Sequence, residues 1–261
     1  MPAMNSHAHV PDWTLVSLRP RGQHAPLRRA AEALGAQVIG LSPWALVARH
    51  DAGTRAALTQ ALGADRVVFS SPAAVHAAAR LQPLQAPHAG TWLAVGAGTA
   101  AALRGHGVDD VVAPTRMDSE GLLDLPALAQ LQGLRAALVT APGGRGIIAS
   151  TLQARGATLQ RVDVYQRRAL RLPPRQLQRL RHQAGPWVLA LSSAEALALL
   201  SEQLPADLLA QLRQAHVVAA SERLAALATD AGFTRVTLAA GPLPAQLAQA
   251  AHAAVTTAAT S

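Results

Sequence analysis

The chain contains no cysteine and no lysine among its 261 residues. Without cysteine there is no disulfide, no thiol nucleophile and no thiolate metal ligand, and the chain suits a reducing compartment. Without lysine, all 23 basic residues are arginine, a coding bias of a GC-rich genome more than a signal of function. Aromatic residues make up only 3%, so packed cores must be built from Ala, Leu and Val, and no aromatic platform for stacking nucleic-acid bases exists. Apolar runs are broken by Arg, Gln or Gly well short of the ~20 residues of a membrane span. The stretch from Met1 to Trp13 lacks the apolar core of a signal peptide. A soluble cytoplasmic protein that binds neither membrane nor nucleic acid is expected.

What is present is apolar material and positive charge. Half of the residues are hydrophobic, enough for packed cores and against disorder. The net charge is +8, which points to nucleic acid, an acidic membrane surface or a polyanionic small molecule. The arginines are scattered. Their densest groups (Arg19, Arg21, Arg28, Arg29; Arg161, Arg167, Arg168, Arg171) read as solvated faces near loops, with no recognition-helix pattern beside them.

Short β-type runs alternate with Ala/Leu-rich helical patterns. Strands are expected near 14–18, 37–41, 66–69, 92–95, 110–112, 135–140, 158–164, 187–191, 216–219 and 235–238. Helices between them close on glycine at Leu34-Gly35, Arg104-Gly105, Arg155-Gly156 and Ala231-Gly232. Such alternation implies parallel sheets covered by helices, an α/β class.

Three kinds of segment occur twice. Leu15–Leu41 resembles Ala137–Val164; strands ending in paired serines recur at 67–75 and 188–197; a strand, small-residue turn, helix and Gly recur at 93–107 and 216–232. Order alone leaves two layouts open, two sequential halves or one domain nested within another. Extended stretches at Leu41–Val47 and Val162–Arg168 favour the nested layout, because each replaces an expected helix and the two could pair as a hinge. The outer domain is then 14–43 plus 169–256 and the inner domain 46–166, with tails 1–13 and 257–261.

The serines Ser70-Ser71 and Ser192-Ser193 stand where a strand ends and a helix begins. One serine of each pair is a good N-cap; the free N–H groups there also make a carboxylate site, at the strand ends where α/β sheets bind ligands. Gly96-Ala97-Gly98-Thr99 is a tight strand-to-helix turn, with Thr99 and its counterpart Ser221 expected as caps. It lacks the acidic residue of a dinucleotide site, and Pro142–Gly146 lacks the Lys-Ser/Thr of a phosphate loop. No metal-ligand spacing and no nucleophile elbow is present. Tyr165, the one tyrosine, lies just past a strand at a proposed domain crossing.

These motifs, in this order, are similar to the uroporphyrinogen-III synthase family over about 14–250. The resemblance rests on Leu18-Arg19-Pro20, Phe69-Ser70-Ser71, Val95-Gly96-Ala97-Gly98-Thr99-Ala100, Gly143-Gly144-Arg145, Val164-Tyr165-Gln166-Arg167, Leu191-Ser192-Ser193 and Ala220-Ser221-Glu222-Arg223. Leu18 departs from the Thr of many members. The resemblance implies two similar parallel-sheet α/β domains joined by a two-strand connector, with the active site in the interdomain cleft. It also implies a cofactor-free, metal-free hydro-lyase, working as a monomer in haem biosynthesis. The enzyme would close hydroxymethylbilane, a substrate with eight carboxylates, into uroporphyrinogen III. Tyr165 is the candidate proton donor; Arg19, Ser70, Ser71, Thr99, Arg145, Ser192, Ser193 and Ser221 are candidates to hold carboxylates. The alternative is a two-domain protein that binds a small anion without chemistry.

Overall fold

The computed structural model describes residues 13–84, 90–143, 146–183 and 185–259; the site candidate Arg145 lies outside them, as do residues 1–12 and 260–261 of the expected tails. The chain divides into two compact units, an outer one of Met1–Ala45 with Ala169–Ser261 and an inner one of Leu46–Arg168. It opens with β1 (Trp13–Leu18), α1 (Ala25–Glu32) and β2 (Ala36–Leu41), and leaves the outer unit through β3 (Trp44–Ala48). The inner unit begins with α2 (Ala52–Leu62), β4 (Arg66–Phe69), α3 (Pro72–Leu81), β5 (Thr91–Ala94) and α4 (Ala97–Gly105). It continues with β6 (Val111–Val112), α5 (Ser119–Leu123), β7 (Arg135–Thr140), α6 (Ile147–Ala154) and β8 (Thr158–Asp163). The return strand is β9 (Tyr165–Ala169). The outer unit is completed by α7 (Pro174–Arg181), β10 (Trp187–Leu191), α8 (Ala194–Gln203), α9 (Ala206–Arg213), β11 (His216–Ala219), α10 (Glu222–Asp230), β12 (Val236–Leu238) and α11 (Pro244–Ala259).

Every residue of β1 and of β10 is buried. Such continuous apolar strands suit the middle of a parallel sheet with helices on both faces. The outer sheet has the order β12-β11-β10-β1-β2 and the inner sheet β6-β5-β4-β7-β8, and the pairs within both are parallel. The two orders are the same plan entered at different points. Strand β10 corresponds to β4, β11 to β5, β12 to β6, β1 to β7 and β2 to β8, which reproduces the three repeated segments of the sequence. Strands β3 and β9, where the chain passes between units, pair with each other as a two-stranded sheet.

The cores follow the composition. In the inner unit, Val67, Phe69, Ala74, Val75, Ala78, Trp92 and Leu103 pack with Val164 and Tyr165. Phe69 and Trp92 supply the aromatic contact there, with ring centroids 5.4 Å apart. Helix ends differ from expectation at one place: Gly105 lies within α4, and Gly107 takes the left-handed conformation at φ 80°. One more residue of helix lets the His106 N–H reach the Leu103 carbonyl before the chain turns.

Candidate active site

In a doubly wound sheet the strand ends on either side of the order reversal are the natural ligand edge. In the inner unit the reversal falls between β4 and β7. Their register pairs Phe69 with Val139, so the next residues, Ser70 and Thr140, stand side by side. The Ser70 hydroxyl donates to Thr140 Oγ1 at 2.7 Å. Ser71 caps α3, accepting from the Ala74 N–H at 3.2 Å, and its Oγ lies 3.3 Å from the Tyr165 hydroxyl. The tyrosine is only 7% exposed, held in the apolar core by Val164 before it, while its oxygen emerges at the cap.

A cavity of about 230 Å³ opens over this edge, lined by Ser70, Ser71, Ser119, Thr140, Tyr165 and two arginines, Arg161 and Arg167. Gly146, at φ 70°, turns the chain into α6, whose first residues Ile147 and Ile148 also line the cavity. Two helix N-termini therefore border it, at Ser71 and at Gly146. Helix α3 begins with Pro72, which has no N–H, and its Ala74 N–H is taken by Ser71. The first N–H groups of α6 are thus those an anion would meet. Arg161 is held in place by donating to the Ala141 carbonyl at 2.7 Å and to Asp163 Oδ1 at 3.0 Å. Among the described residues no aspartate or glutamate lines the cavity. Hydroxyls, guanidinium groups and helix N-termini are the kinds of group that can bind carboxylates, and a phenol is a group that can donate a proton.

In the outer unit the reversal falls between β10 and β1. Their register pairs Ala190 with Ser17; continued two residues, it sets Ser192 beside Arg19. Arg19 thus takes the place that follows the end of β1 much as Thr140 ends β7 in the inner unit. Its Nε and one terminal nitrogen are buried without a hydrogen-bond partner among the described residues, and that burial pushes its pKa down. A buried guanidinium without a partner is costly. Ser193 caps α8, accepting from the Ala196 N–H at 3.3 Å.

The remaining candidates divide. Thr99 is not a cap: Gly96 is, and Thr99 sits inside α4, 2% exposed, where its small side chain fits the core. Ser221 occupies the N-cap of α10 but makes no side-chain capping bond there. Thr140, Ser119, Arg161 and Arg167 line the cavity without having been singled out as site residues. A signal for Thr140 existed, since it ends the strand that repeats the one ending at Leu18-Arg19. Among the described residues no group of three or more His, Asp or Glu is placed to hold a metal ion, and no helix is long and apolar enough to cross a membrane.

Comparison with known proteins adds the family. The family model described as uroporphyrinogen-III synthase HemD matches residues 25–249. The uroporphyrinogen-III synthase of Salmonella typhimurium is 34% identical over 155 residues, 59% of this chain and 63% of that protein. Its Escherichia coli counterpart is 33% identical over 156 residues, with the same shares. The chain thus matches somewhat less than two thirds of the length of these relatives. In fold it resembles a crystal structure of a mutant uroporphyrinogen III synthase from the extremely thermophilic bacterium Thermus thermophilus. The TM-score is 0.61 at 20% identity, covering 94% of this chain and 99% of that one. A uroporphyrinogen-III synthetase structure from Helicobacter pylori gives a TM-score of 0.58 at 13% identity, covering 91% and 97%.

Proposed function

The chain belongs to the uroporphyrinogen-III synthase family, and from that premise we propose that it converts hydroxymethylbilane into uroporphyrinogen III and water. The cavity of the inner unit is what supports this most directly. It surrounds a single phenol with hydroxyls, arginines and the N-terminus of α6. Among the described residues no aspartate or glutamate lines it, and the Asp163 that pairs with Arg161 lies outside that lining. A linear tetrapyrrole with eight carboxylates is matched by that chemistry.

Tyr165 acts as the general acid. Its proton passes to the hydroxymethyl oxygen as the C–O bond breaks, releasing water and leaving a cationic azafulvene. The substituted α-carbon of the last ring attacks that carbon, forming a spiro intermediate; one bond of the inverted ring then breaks and the macrocycle closes with the ring reversed. The proton lost at closure restores the phenol. No electron is gained or lost overall, so the reaction needs an acid and a fixed substrate conformation and no redox partner. Ser71 orients the phenol. Ser70, Arg161, Arg167 and the α6 N-terminus hold carboxylates in the inner unit, and Arg19, Ser192, Ser193 and Ser221 hold them in the outer unit. Because hydroxymethylbilane closes unaided to the wrong isomer, holding the chain folded contributes as much as the acid. We further propose a monomer working in the cytoplasm, in keeping with the absence of cysteine.

The test is to supply freshly made hydroxymethylbilane and separate the uroporphyrinogen isomers that form. Isomer III in excess, at a rate proportional to protein, is expected. Isomer I alone, at the rate seen without protein, would overturn the proposal and leave a protein that binds anions without chemistry.

A further inference from the structure

The outer unit carries a second basic hollow, built from residues the proposed reaction does not use. Its cavity, about 530 Å³, is lined by four arginines and, among the described residues, no acidic one. Arg21 comes from the loop after β1, Arg28 from α1, and Arg175 and Arg179 from α7, where a spacing of four residues puts both on one face of the helix. Arg28 is fixed by donating to the Val38 carbonyl at 3.1 Å, with Glu32 at 3.4 Å. An adjoining hollow shares Arg28 and Arg179 and is lined by Glu32 as well.

The floor of the hollow is rigid and neutral. His24 lies across Gly40, whose missing Cβ would meet the ring at 3.0 Å. The imidazole is held at both nitrogens, Nδ1 2.8 Å from Ser17 Oγ and Nε2 2.7 Å from Ser42 Oγ. Burial, with Arg28 and Arg19 nearby, pushes its pKa down to about 4, so the ring adds no charge near neutral pH. On the wall, Gln176 Oε1 is buried without a hydrogen-bond partner among the described residues. A buried amide oxygen in that condition calls for a donor.

We propose that this hollow binds a small multivalent oxyanion that also carries an O–H, the chemistry shared by a hydrogen phosphate or pyrophosphate and by a hydroxy-polycarboxylate. The anionic oxygens meet the guanidinium forks, which match carboxylate and phosphate alike. The O–H donates to Gln176 Oε1 once that side chain turns toward the ligand, because the oxygen is closed to solvent in this structure. Arg21, Arg175 and Arg179 are exposed and Arg28 pairs with Glu32, so solvent screens their mutual repulsion and the anion adds charged hydrogen bonds to them.

The experiment titrates the intact protein calorimetrically with inorganic pyrophosphate and, separately, with citrate. A saturable site governed by Arg175 and Arg179 is expected, weakening as salt is raised. The double variant Arg175→Gln/Arg179→Gln should weaken it at least about tenfold and Arg21→Gln about threefold, as expected for losing charged hydrogen bonds. Arg167→Gln, in the inner cavity, should leave it unchanged. These arginines border open hollows, and circular dichroism checks that the variants fold. Binding of pyrophosphate alone identifies a phosphate ligand; binding of citrate alone identifies a carboxylate one. No saturable binding of either anion overturns the proposal, and so does binding that the double variant leaves intact. Neither readout depends on cyclisation, so the site and the proposed reaction fail separately.

Discussion

Replacing Tyr165 by phenylalanine removes one oxygen from a ring that is otherwise packed in the inner core and 7% exposed. The ring keeps its contacts, so no cavity forms. The hydroxyl's contact with Ser71 Oγ is long, 3.3 Å, and its loss costs about 0.5–1 kcal/mol of stability. The urea midpoint should therefore fall only slightly. The effect on rate is of another size. A positioned general acid contributes roughly 10²–10⁴-fold, which is about 3–5 kcal/mol in the barrier. Initial rates on fresh hydroxymethylbilane should fall by that factor with little change in KM, because a general acid acts as the C–O bond breaks and not in binding. Unaided closure then competes, and the product should shift from isomer III toward isomer I. A Tyr165→Phe protein that works within about threefold of the unaltered rate, far short of what a general acid contributes, with isomer III still dominant, would falsify the role of the phenol.

Arg19→Met should raise the unfolding midpoint, because it removes two buried nitrogens that lack partners, a cost of about 1–3 kcal/mol. The same change should raise KM about tenfold, as for a lost charged hydrogen bond, and an unchanged KM would show that Arg19 holds no substrate carboxylate. Ser71→Ala should cost about 1 kcal/mol through the lost cap of α3, measured in urea, and should lower kcat further by freeing the phenol. His24 gives the protein an acid sensitivity: its pKa is lowered to about 4 in the fold from an ordinary ~6.5. Above pH ~6.5 the ring is neutral folded or unfolded and stability is intact. As pH falls from there toward 4 the unfolded chain takes up the proton first, and stability drops on the order of 1–2 kcal/mol once solvent screening of the half-buried ring is allowed for. Urea midpoints across that range should slope less in His24→Gln, and equal slopes would remove His24 as the cause.

Much of this protein was legible as a string. Short, near-continuous apolar runs alternating with Ala/Leu helices define an α/β protein, because a strand buried on both faces and a helix buried on one leave different patterns in the sequence. Repetition of three segments announced two similar sheets, and Ser70-Ser71 and Ser192-Ser193 announced strand-to-helix turns, since capping is a local bond over three residues. Where local chemistry was ambiguous, the tertiary structure decided. Gly96 and not Thr99 caps α4, because burial of the Thr99 side chain takes precedence over a local cap. The order of the two sheets, with β1 beside β10 and β7 beside β4, sets which residues share a ligand edge. Thr140 reaches Ser70 and Ser71 reaches Tyr165 only through pairings of residues 70 and 94 positions apart. The same holds for the hollow on the outer unit: Arg21, Arg28, Arg175 and Arg179 read as dispersed solvated charges until β9 and α7 carry the last two back beside α1. Propensity acts over a few residues and can be read from them; proximity of distant residues is a property of the packed sheet alone.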